Sequence, residues 1–365
     1  MAPEILIDTD ALLANLQRIK QIVGTARVMP VVKSDAYGHG VDTVVNTIGN
    51  HVEALAVLRL NEALQIRELG FDKTILVMGG VISAEEMTLA AENSLDWALH
   101  SLEQVEFIEN NPTVAPSIWL KLETGMNRLG VHADNLESVI ARLNDCDNVA
   151  KPWRWMTHIA CADTPGHPLN QLQLDNFARL TEGQEGERSV ANSASLFAFP
   201  KSYYDWVRPG LALYGVSPVK GQTAADLGLR PAMSVWTTVR SVKSISVGQT
   251  VGYGAFWTAE RDTRIGIIDV GYSDGYPFDR YPSMSVAWED HYIPVVGHVS
   301  MGMLAIDTDD HDVKMGDRVE IWGHKIAVEA VSESVNTIPY DLLTSFNKLH
   351  NRQAITPSEQ QKKAG

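Results

Sequence analysis

Cysteine is almost absent, with only Cys146 and Cys161 in 365 residues. Two thiols cannot build a disulfide framework or a cysteine-based zinc site, so no metal is expected, and their scarcity fits a reducing cytoplasm. Long apolar runs are missing too: no stretch approaches the roughly 18 residues of a membrane span. Hydrophobic residues at 45% and charged residues at 21% are ordinary globular values. The amino terminus, Met1-Ala2-Pro3-Glu4, lacks a basic segment, an apolar core and a small-residue cleavage site, so no secretory signal is expected. Positive charge is scarce. With 30 Lys and Arg against 45 Asp and Glu, the formal charge is −15, which repels phosphate backbones and anionic lipid, so neither nucleic acid nor a membrane is an expected partner. Any anionic ligand needs local cationic groups to hold it.

What is present is alternation. A short opening strand, Glu4 to Asp8, leads into Leu12, Leu13, Leu16, Ile19 and Ile22 at helical spacing, ending at Gly24. Eight strand-like runs follow: Arg27 to Lys33, Glu53 to Leu58, Lys73 to Met78, Leu95 to His100, Ser117 to Glu123, Trp153 to Ile159, Arg188 to Asn192 and Leu211 to Tyr214. Helical patterns lie between most of them, such as Asn61 to Leu69, Ala84 to Asn93, Leu102 to Asn110, Leu136 to Leu143 and Gln171 to Leu180. The order predicts an α/β fold, a (β/α)8 TIM-type barrel over residues 1–230. The competing open doubly wound sheet is disfavoured because no G-x-G-x-x-G follows the first long strand.

After Pro231 the pattern changes to short strand-like runs, Val235 to Ile245, Thr263 to Val270, Tyr292 to Val296, Met303 to Ile306 and Arg318 to Trp322, separated by Gly, Pro and Asp turns with little helix. Residues 231–365 are expected to form a mostly β C-terminal domain, with which the first strand, about residues 3–8, can pack, and the polar stretch from Thr356 to Gly365 is expected to fray.

In such a barrel the chemistry collects at the carboxyl ends of the strands. The first run ends on Lys33, followed by Ser34-Asp35-Ala36-Tyr37-Gly38-His39-Gly40. Partial desolvation at the end of an apolar strand favours the neutral amine, which can attack a carbonyl cofactor; the bland alternative is a lysine that snorkels to solvent. The fifth run gives Lys121 and Gly125-Met126-Asn127-Arg128-Leu129-Gly130, the sixth His158, the seventh Asn192-Ser193, and the eighth region Arg208-Pro209-Gly210. Singly, His158 reads as a satisfied core histidine, Arg128 and Arg208 as ion-pair partners, and Ser193 as a helix cap. Together at one barrel face they suggest a site. Tyr272, in Gly271-Tyr272-Ser273-Asp274-Gly275-Tyr276-Pro277, either caps a hairpin or supplies an acid/base phenol.

These motifs, from about Ile5 to Leu343, resemble those of the pyridoxal-phosphate-dependent alanine racemases. The resemblance implies pyridoxal 5'-phosphate as cofactor, bound by Lys33, with Tyr37 and Ser193 facing its phosphate. Arg128 would meet the phenolate oxygen and Arg208 the pyridine nitrogen. It further implies phosphate contacts from the Gly210 and Leu211 amides, site positions for His158 and Asn192, and an often carbamylated lysine, Lys121, orienting Arg128. Tyr272 would be the second catalytic base, working on the L side with Lys33 on the D side, and His158 would link Arg208 to Tyr272. Met301, in Ser300-Met301-Gly302-Met303, would lie near the substrate carboxylate with Arg128. The β domain acts on the partner's barrel in this family, which implies a homodimer. Two positions depart from the family pattern: Gly302 replaces an aspartate, and Lys348 stands where many relatives have a phosphate-contacting tyrosine.

The implied activity is interconversion of L- and D-alanine by two-base proton transfer at Cα, in the cytoplasm, supplying D-alanine for peptidoglycan. The alternatives are a racemase of broader specificity, for serine or lysine, which Gly302 keeps open, and a non-catalytic carrier of the cofactor, which Tyr272 argues against. A fold-related decarboxylase would place a carboxylate where Arg208 stands.

Overall fold

The computed structural model describes residues 3–278, 284–309, 311–346 and 352–355. Lys348 and the segment from Thr356 to Gly365 lie outside the described residues.

Asp8 is a hinge in the chain's logic. It ends strand β1 (Glu4–Asp8) and caps helix α1 (Thr9–Val23), its carboxylate accepting the Ala11 amide at 2.8 Å. The helical spacing read in the sequence is buried as Leu12, Leu16 and Ile19. β1 itself does not enter the barrel. It lies between the antiparallel strand β10 (Met233–Ile245) and the parallel C-terminal strand Arg352–Ile355, so the first residues join the C-terminal sheet.

Eight short parallel strands form the barrel: β2 (Arg27–Val28), β3 (Ala54–Val57), β4 (Thr74–Val77), β5 (Asp96–Leu99), β6 (Ser117–Lys121), β7 (Arg154–Met156), β8 (Arg188–Asn192) and β9 (Trp206–Arg208). Each pairs with the next from β3 to β9, and β9 pairs with β2. Val31 bridges to Ala56, with Val32 N donating to Ala56 O and Ala56 N to Pro30 O, both at 2.8 Å, which brings the first and second strands of the ring together. Trp97, Trp119 and Trp155 are fully buried on β5, β6 and β7. Trp119 donates to Asp96, which Arg154 also contacts at 2.9 Å, so the buried indole nitrogen is satisfied.

Two strands differ from the sequence expectation. The first regular strand stops at Val28, not Lys33, because Pro30 has no amide to give, although Met29 and Val31 still donate to Val207 and Pro209. The eighth strand is Trp206–Arg208. Leu211–Tyr214 is instead a 3-10 turn, wholly buried, and after Pro209 the chain is bent by the Ser193 hydroxyl accepting the Gly210 and Ala212 amides at 2.8 and 3.2 Å. An apolar run with a strand's composition thus becomes the lining of a site.

The second sheet carries β10, Thr263–Ile268, Ser285–Trp288, His291–Val296, Leu304–Asp307 and Arg318–Trp322. Contrary to the expectation of little helix, Val328–Ser334 and Pro339–Ser345 are helical and return to the barrel: a Cβ on Gly38 would stand 2.0 Å from Leu343 O. No helix among the described residues is long and apolar enough to cross a membrane. Replacing Asp8 by alanine removes the cap at the junction of the two units. Urea denaturation of Asp8→Ala is expected to give a loss of about 0.5–2 kcal/mol, and unchanged stability would show that the cap contributes nothing.

Candidate active site

The chain reaches Lys33 by way of Val31 and Val32 and then winds the wrong way. Ser34, Asp35, Ala36 and Tyr37 have φ of +54°, +52°, +53° and +53°, a left-handed turn made without glycine. Each such residue costs about 1–2 kcal/mol, so the turn persists only where its surroundings over-determine it. Ala36 N donates to Val32 O at 3.0 Å and Gly38 N to Ser34 O at 3.1 Å. From helix Leu60–Glu68, the Glu62 carboxylate accepts the Ser34 amide at 2.7 Å and the Leu58 and Arg59 amides at 2.9 Å. The half-buried Lys33 amine lies 6.0 Å from the centre of the Tyr37 ring. Desolvation pulls its pKa below the ordinary lysine value, the Arg128 guanidinium pulls it further, and Glu62 opposes both. More neutral amine is available than on a solvated lysine.

Three further cations belong to the same cluster, Arg128 and Lys121 acting on Lys33 or feeling its charge and Arg208 acting on Lys121. Arg208, at the end of β9 and only 2% exposed, donates to Ser189 Oγ and Thr157 O at 2.5 Å and to Val190 O at 3.4 Å. Among the described residues no carboxylate pairs with it. Burial lowers its pKa to about 10, which leaves it protonated at neutral pH. Lys121, 6% exposed at the end of β6, is lowered to about 8 by desolvation first and then by Arg208 and Arg128. His158, after β7, is pushed well below its usual value by desolvation and the same cations. Arg128 itself is exposed on the loop that leaves Lys121 and returns through Val131 N to Lys121 O at 2.7 Å. The loop closes only over glycine: a Cβ on Gly130 would stand 2.5 Å from Glu123 N.

A small cradle sits beside these charges. Ser193 Oγ collects the Gly210 and Ala212 amides, so Ala212, rather than Leu211, is the second amide on that hydroxyl. A Cβ at Gly210 would lie 2.5 Å from Tyr37 Oη, which places the phenol against the same backbone. Burial pushes the Tyr37 phenol up, so it stays a neutral donor. Tyr37 packs on Tyr214 and Tyr340, with ring centres 4.9 and 5.7 Å away, and Tyr214 Oη donates to Val31 O at 2.9 Å. Sequence reasoning missed Glu62, Tyr340 and Ala212. Arg59-Leu60-Asn61-Glu62 has the spacing of a capping box, a signal for Glu62, whereas nothing local marks Tyr340 as a neighbour of Tyr37.

The remaining expected residues stand apart. Tyr272 is 41% exposed and Met301 63% exposed on the β domain. Their loops are clipped together, Tyr272 N donating to Ser300 O at 3.1 Å and Ser273 N to Met301 O at 2.8 Å, and the Tyr272 ring meets Phe278 at 5.4 Å. Among the described residues no hydrogen bond or ring contact joins Tyr272 to Lys33 or His158. His158 Nε2 instead lies 3.5 Å from Asn192 Nδ2, and Arg208 is occupied by Ser189, Thr157 and Val190, so the expected link from Arg208 through His158 to Tyr272 is not formed within this chain.

The donor set suits an occupant with several negative charges. A guanidinium and a lysine buried close together, with only Glu123 opposing them at Lys121, are costly until a further anion joins them, and the Ser193, Gly210 and Tyr37 cradle matches a phosphate. Those are the anionic parts of pyridoxal phosphate, so the residues present fit that cofactor. Among the described residues no group of three or more His, Cys, Asp or Glu is placed to hold a metal ion. The pH consequence falls on Lys121. Its amine stays protonated to about 10.5 when unfolded but only to about 8 when folded, so its burial costs stability below pH 8, and the cost fades as pH rises between those values. In cofactor-stripped protein, Lys121→Met is expected to be more stable than the parent at neutral pH by a margin that shrinks towards pH 10; a margin independent of pH would contradict this electrostatic account.

Comparison with known proteins agrees with the geometry. The family model for the alanine racemase N-terminal domain matches residues 7–218, and that for the alanine racemase C-terminal domain matches residues 232–354. An alanine racemase of Aliivibrio salmonicida is 42% identical over 352 residues, 96% of this chain and 98% of its own. The biosynthetic alanine racemase structure from Pseudomonas aeruginosa superposes with a TM-score of 0.94 at 36% identity, covering 97% of this chain and 100% of that one. An alanine racemase from Bartonella henselae, described with covalently bound pyridoxal phosphate, gives 0.87 at 30% identity over 97% and 100%. Family models that match both parts of the chain and relatives that are alike over nearly its whole length show that the chain belongs to the alanine racemase family of pyridoxal-phosphate-dependent isomerases.

Proposed function

We propose that this chain interconverts L- and D-alanine with pyridoxal phosphate bound at Lys33, as a homodimer in which each barrel is completed by the partner's β domain. The observation that carries the reading is the clustering of Lys33, Lys121, Arg128 and Arg208, with the Lys33 amine near the Tyr37 ring, whose hydroxyl lies against Gly210 of the cradle. Residues 1–230 act as the cofactor-binding barrel, and the chain from residue 231 onward supplies the second base.

When bound, pyridoxal phosphate withdraws electrons from Cα of the attached amino acid and so acidifies the proton there. Tyr37, Ser193 and the Gly210 and Leu211 amides would hold the phosphate end, with Asn192 shaping the wall beside His158. Arg208 would face the ring nitrogen. Because it stays protonated at neutral pH it cannot take a proton from that nitrogen, which limits the electron withdrawal and favours simple proton exchange over transamination. Arg128 would neutralise the phenolate and the substrate carboxylate, and the nearby Lys121, lowered to about 8, would offer more of the neutral amine that carbamylation requires than an ordinary lysine does.

Inversion at Cα needs a proton removed from one face and another delivered to the opposite face, which one rigid group cannot do. Lys33, its proton affinity lowered by burial, serves one face. Tyr272 serves the other, with Met301 beside the substrate carboxylate, and its exposure suits a residue offered to a second subunit. There His158 of the receiving barrel would stand behind the phenol. The D-alanine formed would supply peptidoglycan, from the cytoplasm.

A second reading, racemisation of serine or lysine, is favoured by Gly302, where a Cβ would meet nothing within 4 Å. Purified protein loaded with pyridoxal phosphate is assayed on L-alanine, L-serine and L-lysine by chiral chromatography. D-alanine is expected to form fastest; faster D-serine or D-lysine moves the specificity to the second reading, and no D-product from any of the three defeats the racemase reading. Tyr272→Phe is expected to lose racemisation by a factor of about 10²–10⁴ while keeping the visible cofactor band, and Lys33→Ala to lose the band itself. Full activity in Tyr272→Phe would rule out the two-base scheme.

A further inference from the structure

The left-handed turn after Lys33 is strained, and its internal hydrogen bonds do not explain why it is kept. The restraint comes from the far end of the chain. Strand Arg352–Ile355 pairs in parallel with β1 from Ile5–Arg352 to Asp8–Ile355, and Ile355 is buried with Leu6 and Trp236, so this strand is fixed to the C-terminal sheet. From it Arg352 reaches into the barrel. Its Nη2 meets Asp35 Oδ2 at 2.5 Å, with both side chains mostly shielded from solvent. The other oxygen, Oδ1, accepts the Val41 amide at 2.7 Å, so one carboxylate ties the middle of the turn both to the next helix and to the C-terminal strand. Gly40 makes room for this approach, since a Cβ there would stand 2.7 Å from Arg352 Nη1. Two more groups of the same unit press on the turn, Leu343 O at Gly38 and the Tyr340 ring at Tyr37.

We propose that Arg352 is a positioning residue for Lys33: through Asp35, the C-terminal strand holds the left-handed turn that aims the lysine into the barrel mouth. The ion pair closes the one side of the turn that Glu62, bound to the Ser34 amide, does not reach. Loss of the guanidinium releases Asp35 to solvent and lets the turn sample right-handed conformations, in which the Lys33 amine points elsewhere. The consequence for turnover rests on the reading of Lys33 given above; the consequence for the turn does not.

Hydrogen exchange of the holoenzyme separates the two. Arg352→Gln is expected to speed exchange of the amides between residues 33 and 41 by about tenfold while leaving the barrel helix Ala133–Asp145 unchanged. Arg352→Lys, which keeps the charge, is expected to restore most of the protection. Asp35→Asn probes the same contact from the barrel side should the first variant fail to fold, and is expected to show the same local change. In the racemisation assay kcat falls while KM for alanine moves little, because no substrate contact is lost. Unaltered exchange between residues 33 and 41, or an equal rise throughout the molecule, overturns the proposal. A wild-type enzyme that neither binds the cofactor nor racemises alanine, yet shows the local exchange effect, leaves the positioning role standing and removes only the reading of Lys33.

Discussion

Arg208 brings a full positive charge into the barrel and, among the described residues, donates to a hydroxyl and two carbonyls with no carboxylate paired to it. Much else in the site follows from that single placement. Desolvation first, and then this guanidinium, lowers the proton affinity of Lys121 and His158, Glu123 opposes the effect at Lys121, and Lys121 in turn lowers the proton affinity of His158. The chain's overall charge of −15 makes the contrast sharper, because this cluster of cations belongs to an otherwise acidic protein. A site of this kind is stable only with an anion in it, and it selects one with charges distributed like a phosphate and a phenolate.

The same economy governs the backbone around Lys33. A left-handed turn of four non-glycine residues is an unfavourable local structure, and each of its flanks is tied to a different part of the molecule: Glu62 from the barrel, Asp35 to Val41, Leu343 and Tyr340 from the C-terminal unit. Barrel and β domain are therefore joined at the lysine as well as at the sheet that takes in β1. The position of one amine is set by residues more than three hundred positions away in sequence, among them Arg352.

Much of this was legible in the chain. Strand and helix alternation named the barrel because parallel strands with crossover helices leave a regular periodic trace; Lys121 and Arg208 close their strands, Ser193 follows directly on β8, and Lys33 and His158 lie a few residues beyond the ends of β2 and β7. The eighth strand was misplaced because Leu211-Ala212-Leu213-Tyr214 is apolar for a different reason: it is buried as a 3-10 turn beneath the cradle, while the strand is the less obvious Trp206-Val207-Arg208. Composition reports burial and cannot distinguish these two uses of it. The left-handed turn was hidden because Ser34-Asp35-Ala36-Tyr37 contains no glycine to announce positive φ, and Tyr340 and Arg352 were hidden because only tertiary packing brings them to Tyr37 and Asp35. Short helices such as Pro339–Ser345 carry too few residues for their periodicity to stand out.

The central claim is that one subunit's Lys33 works with its partner's Tyr272, since among the described residues no hydrogen bond or ring contact joins the two within a single chain. Co-expression of Lys33→Ala with Tyr272→Phe tests it most directly, since each variant is inactive alone in this account and only a mixed dimer rebuilds one complete site. Purified mixed dimers are predicted to recover racemisation to roughly half of the parent's specific activity, and the unfractionated product of statistical pairing to roughly a quarter. Mixed dimers as inactive as either variant alone would mean that both bases must come from the same chain, and would contradict the shared site.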